Sequence, residues 1–151
     1  MIIFPQGVNL IFPSWIKKLA LSMNTTELRF DPKTTLWSLS NLTWLRLEFL
    51  DFNSLEWGKV IQDMDKLDKL EVLVLKQRYA PMHDDFLLQM TRRLDGLMKQ
   101  CLNLKLIVFG SPMTQEVMLF RRGGYPWQEV NSILNEFSSV EQIYVGNIYR
   151  Y

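Results

Sequence analysis

Few residues in this sequence have the type and spacing that catalysis requires. The single histidine, His83, stands in the stretch APMHDD beside Asp84 and Asp85, and a histidine next to a carboxylate can act as an oriented base. A catalytic pair also needs a nucleophile within reach of that base, and no other residue completes such a set of roles. We therefore interpret His83 as a loop residue before a helix. The sequence predicts no catalytic residue and a protein that is not an enzyme.

Cofactor and metal motifs are also missing from the sequence. Cys101 is the only cysteine, so no disulfide can form within the chain, and no Cys/His set has the spacing of a zinc site. The chain has no G-x-S-x-G, no phosphate-binding glycine loop and no G-x-G-x-x-G. We expect neither a metal nor a cofactor. Cys101 closes an apolar helical stripe, where a buried thiol is expected, and the cysteine content favours a reducing compartment, cytoplasmic or nuclear.

Composition and charge narrow the class of partner. The chain has 151 residues, of which 48% are hydrophobic, and this length predicts a single domain over residues 1–151. Seventeen basic residues against sixteen acidic ones argue against nucleic acid, which requires a basic excess on one face. No apolar run reaches the length of a membrane span. The class of partner that we expect is another protein, whose identity the sequence does not specify.

An apolar template recurs along the chain. The stretch LEVLVLKQ, residues 70–77, is too apolar for an ordinary surface strand, and its apolar positions 1, 4 and 6 recur in IKKLAL, LTWLRL, LKLIVF and VEQIYV. Successive copies are offset by 26, 28, 34 and 36 residues. The template residues are Ile16, Leu19, Leu21; Leu42, Leu45, Leu47; Leu70, Leu73, Leu75; Leu104, Ile107, Phe109; and Val140, Ile143, Val145.

Helical patterns separate these copies. Residues 54–64, 84–101 and 125–137 each place apolar side chains at spacings of three and four, which is typical of a helix with one buried face. Parallel strands need a crossover connection, and the gaps are long enough for one helix each. The sequence therefore predicts an α/β fold of about five β-α units with parallel strands.

The L-x-x-L-x-L core of these copies resembles the leucine-rich repeat, in the degenerate form of the C-terminal regions of F-box-type proteins, especially fungal ones. FPSWIKKLALS is similar to the first strand of those regions, and CLNLKLIVFGSPMTQEVMLFRRGGYPWQEVNSIL resembles their last full repeat. The asparagine or cysteine that normally follows the core is missing, and we recognise no F-box segment. The resemblance covers most of the chain. It implies a short leucine-rich-repeat-like solenoid that serves as the substrate-recognition part of an F-box-like protein.

In a leucine-rich repeat, positions 3, 5 and 7 point away from the helix layer, because strand side chains alternate. In the third and fourth copies positions 3 and 5 are apolar, and bare apolar area is unfavourable in water. We therefore predict a partner-binding surface on this open face. Its residues are Trp44, Arg46, Val72, Val74, Leu106, Val108 and Tyr144.

Two alternatives to a partner-binding surface stay open. Residues 2–12 or 115–120 could cover the apolar patch from within, or the chain could associate with itself or with a missing N-terminal part. A different fold also stays open: a compact three-layer α/β domain with a ligand or catalytic site at the carboxyl ends of its strands, near Ser22, Lys76, Gly110 and Gly146. Sequential strand order would support the repeat, and helices on both faces of the sheet would contradict it.

Overall fold

In the part of the chain that the structure describes, seven strands form one sheet and follow one another in space in the order of the sequence. The structure, a computed structural model, describes residues 2–4, 12–23, 39–49, 54–77, 84–111, 116–135, 137 and 142–145. The strands are β1 (Ile2–Phe4), β2 (Lys18–Met23), β3 (Trp44–Phe49), β4 (Val72–Gln77), β5 (Leu106–Ser111), β6 (Glu116–Arg121) and β7 (Gln142–Val145). β1 to β5 are parallel, β6 is antiparallel to β5, and β7 is parallel to β6. The predicted α/β class with a mostly parallel sheet is confirmed.

The repeated template predicts the register of four strands correctly. Leu45 of β3 lies between Leu19 of β2 and Leu73 of β4, and Leu73 in turn lies beside Ile107 of β5. Equivalent template positions are thus direct neighbours across the sheet. A slip of one residue would turn every apolar side chain of a strand to the other face, so the shared apolar pattern specifies the register.

A repeated turn precedes each of these four strands. Four amides donate to the carbonyl three residues earlier; the pairs are Ile16 to Pro13, Leu42 to Leu39, Leu70 to Leu67, and Leu104 to Cys101. Side chains link the turns as well: the Asn41 amide donates to the carbonyl of Ser14, and the Asn103 amide donates to that of Asp68. The four units therefore stack at the end where the parallel strands begin.

Three α-helices lie in the described residues: α1 (Ser54–Ile61), α2 (Asp84–Gln100) and α3 (Trp127–Leu134), and a short 3-10 helix (Met64–Lys66) follows α1. All three helices were predicted and are confirmed, and none in the described ranges is long and apolar enough to cross a membrane. α1 and α2 pack on one face of the sheet, which we call the α1/α2 face. The Trp57 ring lies there between the rings of Phe49 and Phe109, each centroid 5.3 Å away in an edge-to-face arrangement.

The segment after β5 forms a strand that none of the five template copies includes. β6 reads EVMLFR and is buried on both sides: Val117 and Leu119 face one way, while Met118 and Phe120 face the other. A strand buried on both faces has no polar alternation, so its sequence lacks the usual mark of a strand.

The reversed direction of β6 moves the next helix to the other face of the sheet, which we call the α3 face. Crossovers between parallel strands are right-handed. The β6–α3–β7 and β4–α2–β5 crossovers proceed in the same direction across the sheet. The strands β6 and β7, however, run antiparallel to β4 and β5. Because both crossovers are right-handed, α3 lies on the face of the sheet opposite to α2. Val130 and Ile133 of α3 pack against β4, β5 and β6 on that face. The prediction of five mutually parallel strands is wrong for the last copy, and helices lie on both faces.

Candidate binding cleft

An open cleft of about 470 Å³ lies on the α3 face, at the end of the sheet where β2 to β5 begin. β6 runs the other way, so its last residue and the turn into α3 reach this same end. The amide of Arg122, just after β6, donates to the carbonyl of Lys105, just before β5. The cleft is therefore bounded by four strand starts on one side and by residues 123–129 on the other.

Two aromatic side chains form the walls of the cleft. Trp44 begins β3 and Tyr125 precedes α3; both are partly buried and pack against the apolar cluster under α3. Burial raises the pKa of Tyr125 well above its ordinary value, and a hydrogen bond to Glu129 and the charges of Glu129 and Glu71 act in the same direction. The Tyr125 phenol therefore stays protonated at neutral pH and donates to the Glu129 carboxylate.

The rim of the cleft carries charges of both signs. Lys105 Nζ lies 3.4 Å from Glu71 Oε1, and both side chains are partly exposed to solvent, so this ion pair adds little stability. The exposed Lys18 and Glu129 stand nearby. Donors and acceptors thus alternate around the aromatic walls, which suits a polar peptide backbone better than a polyanion.

The turn that carries Tyr125 is held in place by Arg121. Its Nε donates to the Tyr125 carbonyl oxygen at 2.9 Å, and its guanidinium lies over the Trp127 ring, 4.5 Å from the centroid. Gly124 has a φ of 89°, a left-handed conformation that glycine adopts without strain. These contacts preorganise one wall of the cleft.

Four residues of the predicted partner-binding surface are covered from within the chain. Val72, Val74, Leu106 and Val108 are all buried, and they pack with Val130, Ile133 and Phe137. The prediction that they form an exposed patch is wrong, because α3 crosses this face. Residues 115–120 were proposed as a cover, but residues 116–120 belong to β6 within the sheet itself; of residues 2–12, only 2–4, which form β1, and Phe12 are described.

Two other residues of the predicted surface, Arg46 and Trp44, lie in different environments. The Arg46 side chain is only 14% exposed and lies 4.0 Å from Glu48, so it is poorly placed to anchor a partner. Beside Glu48 in the register is Lys76, also buried, whose ammonium group lies 4.9 Å from the centre of the Phe137 ring. Of the predicted surface, Trp44 and Val72 line the cleft; Val72 is buried and Trp44 is partly exposed.

Tyr144 belongs to the other face of the sheet by its register position. β7 pairs Tyr144 with Met118, and Met118 packs in the cluster under α1 and α2. The prediction grouped Tyr144 with Val74 and Val108, which lie on the α3 face, whereas the register of β7 pairs Tyr144 with a residue of the α1/α2 face. The reversed direction of β6 and β7 is the cause. It places template positions 3 and 5 of the last copy on the face that positions 4 and 6 occupy in the other copies.

The groups considered for chemistry do not form a reactive centre in the described residues. Burial and the Asp65 carboxylate raise the pKa of the half-buried Cys101 from 9.0 to about 11, against an opposing effect of Arg122, so the thiol is protonated at neutral pH. His83 lies outside the described residues. Within the described ranges, no group of three or more His, Cys, Asp or Glu residues could hold a metal ion.

The alternative site at the carboxyl ends of the parallel strands is only partly described. Ser22, Lys76 and Ser111 are buried there, and the residues that follow these strands, together with Gly146, lie outside the described ranges. The cleft opens at the opposite end of β2 to β5.

Comparisons of the chain with protein-family models, with curated proteins and with solved structures found no significant match. The residues of the cleft therefore carry the functional argument. Lys18, Glu71, Lys105, Tyr125 and Glu129 had no signal in the sequence that would have grouped them, since only the reversal at β6 brings residues 121–129 to the start of β2 to β5.

Proposed function

We propose that this chain is a non-enzymatic protein-interaction module that binds an extended segment of a partner protein in the cleft between Trp44 and Tyr125. The observation that carries the proposal is the pairing of these two partly buried aromatic rings with a rim of both charge signs. Tryptophan and tyrosine are the side chains that most often anchor protein interfaces, and a polar rim around them is typical.

Helices on both faces of the sheet contradict a leucine-rich-repeat-like solenoid over the whole chain, so we infer only that β2 to β5 are such rungs and that β6, α3 and β7 form their C-terminal cap. The matched register and the four repeated turns support the rungs. A cap is needed because a repeat array leaves apolar surface bare at its end; β6 pairs with the edge of β5, and α3 covers the apolar α3 face of β4 and β5. In an F-box-like protein this chain would be the substrate-recognition part.

Acid–base chemistry is poorly supported by the cleft. The Tyr125 phenol is held protonated by its hydrogen bond to Glu129, and Glu71 lies beside the ammonium group of Lys105. A nucleophile activated by an adjacent base would be needed for covalent catalysis. The described side chains that line the cleft do not include a cysteine, serine or histidine, and the hydroxyl of Thr43 donates to the carbonyl oxygen of Lys17 rather than to a side-chain base.

A peptide selection tests the binding function and requires no identified partner. A phage library of random linear peptides is selected on the wild-type chain, and the selected peptides are measured by fluorescence anisotropy against variants. We expect Trp44→Ala to weaken binding by about tenfold or more, the loss typical of an interface anchor. The matched control is Trp15→Ala, which removes a tryptophan that is 73% exposed and is not among the cleft residues.

Trp44 also packs on the core, so Lys18→Glu provides a second variant at the cleft that removes no core contact. We expect it to change the affinity for peptides that carry a charge, with an unchanged circular dichroism spectrum. Selected peptides that bind Trp44→Ala and Lys18→Glu as tightly as wild type would refute the proposed site, and so would a selection that enriches no peptide.

A further inference from the structure

A second depression lies on the opposite side of the molecule, between α1 and α2. It has a volume of about 340 Å³, and its charged lining residues are Lys59, Arg92 and Arg93. All three side chains are exposed, and no carboxylate of a described residue lines this groove. The groove therefore carries three positive charges that no carboxylate of its described lining balances.

Other cations on the same surface are paired. Lys66 lies 3.8 Å from Asp63, and Lys99 lies 3.0 Å from Asp95. Lys59, Arg92 and Arg93, by contrast, have no ion pair or hydrogen bond to any described residue. Like charges held close together repel one another, and a bound anion relieves that repulsion.

The guanidinium of Arg93 lies close to the backbone of Gly58 in α1. A Cβ atom added at residue 58 would stand 2.5 Å from Arg93 Nη1 and 2.6 Å from its Cζ. The guanidinium thus lies against the α1 backbone at the buried Gly58, and a side chain at residue 58 would displace it. Gly96, on the α2 side of the groove, has open space around it.

We propose that this groove docks an acidic segment of a partner protein, with Asp or Glu carboxylates accepting hydrogen bonds from Arg92, Arg93 and Lys59. A guanidinium presents two parallel donors that match a carboxylate. Gln62 and Gln100 line the same groove and supply neutral amides for the peptide backbone. Nucleic acid is the poorer fit, because it requires a long basic face, whereas Asp63 and Asp95 flank these three cations on the same helical layer.

The test uses a fluorescein-labelled peptide of six glutamates flanked by glycines, with the matching glutamine peptide as its control. We expect saturable binding of the glutamate peptide by the wild-type chain at low salt, no binding of the glutamine peptide, and weaker binding as salt screens the charges. Arg93→Glu is expected to weaken binding by about tenfold or more, as the reversal of an interfacial charge does. Lys17→Glu changes the net charge equally at an exposed residue outside the groove and is expected to leave the affinity unchanged.

Substitutions at two glycines distinguish the effect of the position of Arg93 from the effect of its charge. Gly58→Ala retains every charge but displaces the Arg93 guanidinium, and we expect an affinity about threefold lower, since a displaced fork loses a bidentate contact. Gly96→Ala adds the same methyl group in open space and is expected to bind like wild type. Trp44→Ala is also expected to bind like wild type, which separates this groove from the cleft on the α3 face.

Four results would overturn the proposal. The first is the absence of saturable binding, and the second is an equal loss of affinity in Arg93→Glu and Lys17→Glu, which would indicate an effect of net charge alone. The third is unchanged affinity in Gly58→Ala. The fourth is tighter binding of a single-stranded oligonucleotide with six phosphates, which would assign the groove to nucleic acid.

Discussion

Arg122 donates a hydrogen bond of 2.7 Å from its guanidinium to the carbonyl oxygen of Met98, in the last turn of α2. The same side chain is 3% exposed and also donates to the carbonyl oxygens of Leu104, at 2.8 Å, and Cys101, at 3.1 Å. Carbonyls at the end of a helix have no partner within the helix. Arg122 therefore completes the end of α2 and ties it to the residue that follows β6.

Replacement of Arg122 by methionine is expected to lower the free energy of unfolding by about 2–4 kcal/mol, because buried carbonyls lose a charged donor. Urea unfolding at neutral pH measures the change. Arg92→Met, at an exposed position on α2, is the control and is expected to differ from wild type by less than about 0.5 kcal/mol. Equal midpoints for the two variants would show that Arg122 does not contribute in this way.

Val74→Glu is expected to unfold the protein. Val74 is fully buried beneath α3, and an unpaired charge at such a site lowers stability by several kcal/mol, about 3–5 on the scale of broken buried pairs. A thermal melt followed by circular dichroism shows the effect. Lys18→Glu places a carboxylate on an exposed residue of the same sheet and is expected to melt near the wild-type temperature. A wild-type melt for Val74→Glu would mean that this face is open in solution.

Val130→Asp tests the cover directly, because Val130 is the fully buried residue of α3 that packs on β4 and β5. We expect α3 to detach and the apolar α3 face to become exposed, which an increase in the fluorescence of the dye ANS would report. Asn131→Asp alters the next residue of the helix, which is exposed, and no increase is expected. ANS fluorescence that is equally low in both variants would contradict the assignment of α3 to this face.

The Cys101 thiol is expected to react slowly with iodoacetamide at pH 8, because only the thiolate reacts and the pKa is raised to about 11. The rate is expected to keep rising with pH above 9 and to level off only near 11. Since the folded state retains the proton more strongly than the unfolded chain, stability is expected to decrease as the pH rises from about 9 towards 11. A rate that levels off by pH 9 would contradict the raised pKa.

The positions of β2 to β5 relative to one another are determined by the sequence itself. Each copy has template residues, such as Leu45 and Leu73, that must face a helix layer. Because side chains alternate between the two faces of a strand, this requirement specifies the register of neighbouring strands. The helices α1, α2 and α3 were equally predictable, because each repeats its apolar residues at helical spacing on a buried stripe. These features depend only on local periodicity and on the burial of apolar side chains.

The tertiary structure alone decides the direction of β6, the face that α3 covers and the cleft beside Trp44. The residues of β6 are apolar on both sides, so its periodicity indicates neither a direction nor a face. Once β6 runs antiparallel to β5, the right-handed crossover places α3 over Val74 and Val108 and brings Tyr125 to the start of β3. The function proposed for Trp44 and Tyr125 thus depends on the direction of β6, which tertiary packing decides and no local pattern of residues records.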